Sequence, residues 1–557
     1  MTVSKAGTVM VCALVAASCS GSSSSVALAS CKAGSTSRVA LAAGGYASLD
    51  PAASNGCVTI AANTSTTDSA EYVIVAQATG GNPGDTTAFQ LQTSTLSAQV
   101  VPQLAVASRA APSLQTERPA DVRGPAAVQF DRFLRNVAIT RATPAGAVRR
   151  AAVAPPPVAA APPVVGNVRK FKVCATLVCS RFDSVTAVAR AVQGHVAIYL
   201  DVLDSTSLAQ ADIDTLASVF EQHIYEVDTT AFGRESDIDN NSVVIALMTE
   251  TVNKLVTITQ CNTSGYIAGF FYSPDIDPTF STSFNHGEVM YTLVPDPGGA
   301  LSCAHTVSSV KQSLPSTLLH ELEHMINFNQ HVLQHGGSAE AIWLDEALAK
   351  YAEELGGRTF LPTDSVTFGY YVKGDIYDAS QYLLATANHF LITPTDQDLA
   401  DVGAGWLFMR FVIDQFGDSV ARKLVQTSLT GPNNVGVQTQ QAFAATDAQW
   451  ALAIWVSDLA GFTPATALQY KSLSLRKAIA WQYSLDPRNF PSSFPLVPTV
   501  LPAAQINVGG KLRAGGGVYI RALEGPSAPD VNLLFSGPGN VALPAAMAPR
   551  LTIVRIR

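Results

Sequence analysis

The 557-residue sequence predicts an α+β central domain, built on a mixed sheet and a pair of helices, with small all-β regions at either end. Three observations carry this. Residues 168–310 alternate strand and helix patterns. Residues 316–355 hold two helical segments separated by a glycine pair. Residues 31–105 and 491–557 show short strands and turn clusters without a helical period.

The first 30 residues read as an export signal: Lys5 is followed by an apolar run, Thr8 to Ala17, too short to span a bilayer. Two exits are open. Val15-Ala16-Ala17-Ser18-Cys19, followed by a Ser/Gly tether, resembles a lipoprotein box and implies a lipid anchor. Ala27-Leu28-Ala29 is a signal-peptidase site. Either way the chain is expected outside the cytoplasm of a bacterium. Eight cysteines are present; if Cys12 and Cys19 leave with the signal, six remain. An even number in an exported chain points to disulfides, and chain order suggests 31–57, 174–179 and 261–303. A net charge of −8 without a basic run argues against nucleic acid as partner, and no stable protein partner is implied.

Residues 31–105 then supply Tyr72-Val73-Ile74-Val75-Ala76 and Phe89-Gln90-Leu91-Gln92 as strands around the turn cluster Gly80–Asp85. Residues 106–167 read as a spacer: mixed charge with some helical pattern, then an Ala/Pro-rich linker that includes Pro155-Pro156-Pro157. The central domain is expected over 168–490. His195–Leu200 and Asn241–Leu247 are strands with a helix, Leu208–Val227, between them. Gly265–Tyr272 and Gly287–Val294 are later strands. Asp237, Asp239 and Asn241 have the spacing of the first ligands of a calcium loop, making Ca2+ a second candidate cation. The loop's glycine and distal glutamate are missing, so a solvated turn is the plainer reading. Ala404–Phe416 and Gln440–Leu459 are amphipathic helices, the second with Trp450 and Trp455 as core residues. Residues 491–557 return to short strands.

The chemistry concentrates in His320-Glu321-Leu322-Glu323-His324. On a helix, residues i and i+4 share a face, so both imidazoles can aim at one metal ion. Glu321, on the edge of that face, can reach a water at the metal without displacing it. This is the H-E-x-x-H arrangement of zinc peptidases, two ligands and a general base from one helix. Ser316 or Thr317 is the expected N-cap after Pro315, with Gly336-Gly337 as the stop. A second helix, Glu340–Leu355, would bring Glu346 back beside the histidines as third ligand; Glu340, Asp345, Glu353 and Glu354 are the competing acids. Asp345 turns about 100° away from Glu346 on that helix. His331, His335 and His389 are spare candidates as metal ligands or transition-state donors, with a solvated or capped histidine the plainer reading for each.

The order Ala231-Phe232-Gly233, Asp237-Ile238-Asp239, Asn285-His286-Gly287-Glu288, Val294-Pro295-Asp296-Pro297, His320–Phe328 and Trp343-Leu344-Asp345-Glu346-Ala347-Leu348-Ala349 resembles the hyicolysin family of secreted bacterial zinc metallopeptidases, over roughly residues 168–420. The resemblance implies a zincin-like catalytic domain of gluzincin type. It implies zinc on His320, His324 and Glu346, Glu321 as the catalytic acid–base residue, and protein or peptide substrates. The sequence departs from the family where Ala347 stands in place of a glycine after the glutamate. Val402-Gly403-Ala404 stands where many gluzincins carry a tyrosine. The oxyanion donor is therefore open among Tyr351, Tyr370, Tyr371 and Tyr382. Two readings from other classes stand beside this one: a surface adhesin with a relic zinc helix, and a zinc hydrolase of lipid or glycan.

Overall fold

Strand pattern and burial agree closely across the centre of the chain. The computed structural model describes residues 37–93, 104–105, 124–141 and 161–557, apart from 205, 362, 395–397 and 491. The expected signal segment 1–30 and most of the Ala/Pro-rich linker lie outside the described residues.

The N-terminal strands are β1 (Ser37–Val39), β2 (Tyr46–Leu49), β3 (Cys57–Ile60), β4 (Ala70–Ala78), β5 (Thr86–Thr93) and β6 (Leu104–Ala105). Helix α1 (Pro125–Arg141) follows, in the stretch read as a spacer with some helical pattern. It buries Ala127, Phe130, Leu134 and Val137 against the central domain, a helical apolar stripe.

The central sheet holds β7 (Val168–Cys174), β8 (Phe182–Gln193), β9 (Val196–Asp201), β10 (Val244–Met248), β11 (Gly269–Phe271) and β12 (Val289–Thr292), in the order β11-β12-β10-β9-β8-β7. β8 alternates, burying Val185, Ala187, Ala189 and Ala191. β9 and β10 are buried at every position because elements cover both faces. β9, β10 and β12 run parallel; β11, at the edge, runs antiparallel to β12. The Cys174–Cys179 and Cys261–Cys303 disulfides form as chain order suggested. Cys57 is also disulfide-bonded, and its expected partner Cys31 lies outside the described residues.

Behind the sheet lie α2 (Val307–Phe328), α3 (Ile342–Arg358), α4 (Ser365–Leu384), α5 (Leu399–Phe416) and α6 (Phe443–Val456). α2 starts nine residues before the expected cap. Thr306 takes the N-cap position, accepting from Ser309 N, and Pro315 sits inside the helix. The ring costs the hydrogen bond to Lys311 O, which lies on an exposed turn where water can replace it. α3, expected over Glu340–Leu355, runs from Ile342 through Gly356 and Gly357 to Arg358. A Cβ on Gly356 would stand 2.2 Å from Leu319 Cδ1 and one on Gly357 2.8 Å from Tyr371 Cβ, so these glycines let three helices approach closely.

The C-terminal strands β13 (Thr499–Pro502), β14 (Asn507–Arg513), β15 (Gly517–Glu524), β16 (Val531–Ser536) and β17 (Pro549–Arg555) do not form a domain of their own. They interleave with the N-terminal strands in two sheets, β1-β3-β16-β5-β14-β6 and β13-β15-β4-β17-β2. The two expected flanking domains are thus one sandwich with a shared core including Ile74, Phe89, Ile520, Phe535 and Ile553. The physical reason is visible in β4. All nine of its residues are buried, and both its edges are taken by C-terminal strands. Without them a long apolar strand would present open edges. The sandwich abuts α6, where Tyr519 Oη donates to Ala451 O.

Candidate metal centre

α2 presents His320 and His324 one turn apart, ring centroids 4.7 Å from each other and nearly perpendicular. α3 returns antiparallel and sets Glu346 between them. Its Oε2 lies 3.5 Å from His320 Nε2 and its Oε1 3.6 Å from His324 Nε2. A donor atom from each of the three lies within 4.8 Å of the others. Both Nε2 atoms therefore face the same point.

The opposite ring nitrogens are also provided for. His320 Nδ1 is 2.9 Å from Glu353 Oε1, and His324 Nδ1 is 3.2 Å from Asp345 Oδ1. A carboxylate behind each imidazole fixes the ring's tautomer and raises its basicity toward a metal. Glu353 falls seven residues after Glu346, two helical turns on the same face. Asp345 does turn away from Glu346, and the direction it takes is toward the back of His324. Neither role could be read from the sequence, where both appeared only as competing ligands. Glu353 is in turn 3.4 Å from Lys350 Nζ, and Lys350 lies 3.1 Å from Asp375 and 3.7 Å from Asp378.

The donor set fits a zinc ion on a property of this protein: His324 Nε2 is fully buried and makes no hydrogen bond among the described residues. Burial, and then the nearby Arg135 cation, push the His324 imidazole down to about 4, so it is neutral and a ready donor. Two imidazoles and one carboxylate are a zinc donor set, and three protein ligands leave a fourth position for chemistry.

Glu321 stands beside this point, its Oε2 accepting from Phe271 N of the edge strand at 2.9 Å. β11 is thereby tied to the helix that carries the motif. The other acids have different work. Glu340 accepts from Ala341 N, Gly431 N and Asn434 Nδ2, and burial raises its carboxyl to about 8. Glu354 pairs with Arg410 and Arg358.

Of the tyrosines, Tyr370 and Tyr371 line a hollow shared with Thr317, Lys350 and Glu353. Tyr382 instead stacks on Trp450, and Tyr351 faces a different depression beside Arg422. His331 meets Leu424 O, His335 meets Gln330 O, and His389 lies between Asp398 and Asp401. None joins the His320–His324–Glu346 group.

The calcium-like loop is arranged differently from the expectation. Asn241 Oδ1 accepts from Val243 N while its amide donates to Asp239, so Asn241 serves the turn. Glu288, just ahead of β12, instead brings a carboxylate within 4.8 Å of Asp237 and Asp239, with Arg169 3.9 Å from Asp239.

One site residue lay outside the sequence reading altogether. Arg135 of α1 is buried, donates to Phe271 O at 3.4 Å and pairs with Asp345 at 3.8 Å. The available signal was the spacing of Phe130, Leu134 and Val137.

No protein-family model matches the chain. A stretch of 139 residues is 30% identical to the neutral metalloprotease ShpI of Staphylococcus hyicus. The match covers 24% of this chain and 29% of that protein, so the chain spans less than a third of the relative's length. It supports a distant relationship to a metalloprotease.

Proposed function

We propose that the chain is an exported zinc endopeptidase of the hyicolysin type, with a zincin-like central domain. The observation that carries this reading is the arrangement of His320, His324 and Glu346, each imidazole backed by its own carboxylate. The relationship to ShpI is consistent with it. A zinc ion held there would polarise a scissile carbonyl and acidify an attacking water.

The chain's own residues do the rest. His320, His324 and Glu346 hold the ion, and Glu353 and Asp345 orient the two imidazoles. Glu321 takes a proton from the water and returns it to the leaving amine. Its bond to Phe271 N fixes the carboxylate in place. β11 has only β12 beside it among the described strands, so its other edge is the one an extended substrate would pair with. Tyr370 and Tyr371, which share a hollow with Glu353, are the tyrosines we favour as oxyanion donors. The Cys174–Cys179 and Cys261–Cys303 disulfides suit an oxidising, extracellular setting.

The test pairs metal content with proteolysis. Glu321→Gln should keep zinc and fold yet lose about 10²–10⁴ in rate, the usual worth of a general base. His324→Ala and Glu346→Ala should lose the metal itself. Unchanged peptide cleavage by Glu321→Gln would remove that residue from the reaction. Turnover confined to lipid or glycan panels would replace the substrate class.

A further inference from the structure

The metal centre is buried: His320, Glu321, His324 and Glu346 are 0%, 1%, 2% and 3% exposed. Much of the cover on the His324 side is α1. Phe130 sits edge-on against Phe270 of β11, ring centroids 5.1 Å apart. One turn or so along, Arg135 donates to the carbonyl of Phe271 and pairs with Asp345, the acid behind His324. Between Arg135, Ala138, Phe271 and His324 there remains a crevice of about 10 Å³, room for at most one water.

These contacts fall on groups a substrate would need. Phe271 has its N–H on Glu321 and its C=O on Arg135, so both backbone groups of the edge strand's last residue are engaged. A peptide adding to β11 requires that edge, and α1 occupies it. α1 itself contributes no member of the His320–His324–Glu346 group and no strand to the central sheet. Its apolar stripe packs into the central core, but it joins no sheet: β6, before it, belongs to the sandwich, and β7, after it, opens the central sheet. Val168 begins 27 residues beyond Arg141, a stretch that reaches at most about 90 Å when extended. The helix can therefore leave the centre without leaving the protein.

We propose that α1 is a built-in inhibitory segment, seated through Phe130 and Arg135 on the open edge of β11 and over the metal centre, whose displacement admits substrate. This rests on the zinc peptidase reading of that centre. α1 is a cover; its residues take no part in the chemistry.

The experiment uses the full-length zinc protein and two variants, Phe130→Asp and Arg135→Ala. The first places a charge against Phe270, and the second removes the cation from Phe271 O and Asp345. Two quantities are read: the rate at which 1,10-phenanthroline strips the zinc, and turnover of a fluorogenic peptide mixture. Both should rise at least tenfold in each variant. A synthetic peptide of residues 125–141, added in excess, should reverse both, which a merely misfolded variant would not allow. The same peptide carrying the Phe130→Asp change should do nothing. Zinc release no faster than in the parent, or variants indifferent to the added peptide, would overturn the proposal. Faster release reversed by the peptide, with no turnover in any form, would sustain the cover and discard the peptidase reading.

Discussion

Glu353→Ala tests whether the metal centre depends on the groups behind its ligands. Glu353 is buried, and its Oε1 stands 2.9 Å from His320 Nδ1. Removing it leaves that ring nitrogen without its carboxylate, frees the ring to turn, and lowers the basicity of Nε2. Losing such a partner costs about 10–100-fold in metal affinity, or roughly 1.4–2.7 kcal/mol. The upper end is expected here, because the same change takes a carboxylate 3.4 Å away from the buried Lys350, which keeps Asp375 and Asp378 beside it. Glu353→Gln keeps an oxygen for the N–H and loses only the charge, so it should fall near tenfold. Asp345→Asn probes the matching position behind His324 and should also weaken zinc about tenfold. That is a larger effect than the sequence suggested, when Asp345 was only a residue facing away from Glu346. Zinc affinity is measured by competition with a chelating dye, and thermal unfolding of the metal-free proteins checks the fold. Parent-like affinity in Glu353→Ala, with the fold intact, would refute the argument that these carboxylates hold the imidazoles.

Two further outcomes follow from packing and charge. Gly356→Ala should destabilise the protein by about 1–3 kcal/mol in urea unfolding, since its Cβ would meet Leu319 Cδ1 at 2.2 Å; an unchanged midpoint would mean α2 and α3 can separate freely. His389 is raised to about 9: burial opposes its charge, but hydrogen bonds to Asp398 and Asp401 and their charges outweigh that. Its folded pKa lies above the unfolded value of about 6.5, so the stabilisation is complete below pH 6.5 and disappears as pH rises through 9. The urea midpoint gap between the parent and His389→Gln should therefore shrink from pH 6 to pH 10, from at most about 3 kcal/mol. A gap constant over that range would show that the ion pair adds nothing.

Much of the local order was legible in the sequence. The H-E-x-x-H spacing puts two imidazoles on one face of any helix that contains it. The α3 pattern, with its tryptophan, leucines and alanines, places Glu346 at a definite phase. The apolar runs of β4, β9 and β10 announce buried strands. These features depend on neighbours three or four residues away, or on alternation within a strand, and a helix or strand converts such spacings directly into faces. Helix limits were less legible. Pro315 looks like a boundary, but Thr306 caps the helix earlier. Gly336 and Gly337 lie beyond a wide turn at 329–334, and Gly356 looks like a stop while acting as a contact point.

The sequence by itself determined the principal strands and helices of the central domain and the three donors that one helix pair can bring together. Tertiary structure alone decided which acids stand behind those donors, that the two terminal β segments are one sandwich, and that α1 lies across the metal centre. Each of these is a meeting of residues far apart in the chain. Glu353 and Asp345 differ from Glu340 and Glu354 only in what stands opposite them: the histidines of α2 for the first pair, Asn434 for Glu340 and Trp406 of α5 for Glu354. β4 and β17 are separated by some 470 residues, and nothing in either strand names its partner. A strand's pattern states that its face must be covered and its edge paired, and the packing of the whole chain selects what does so.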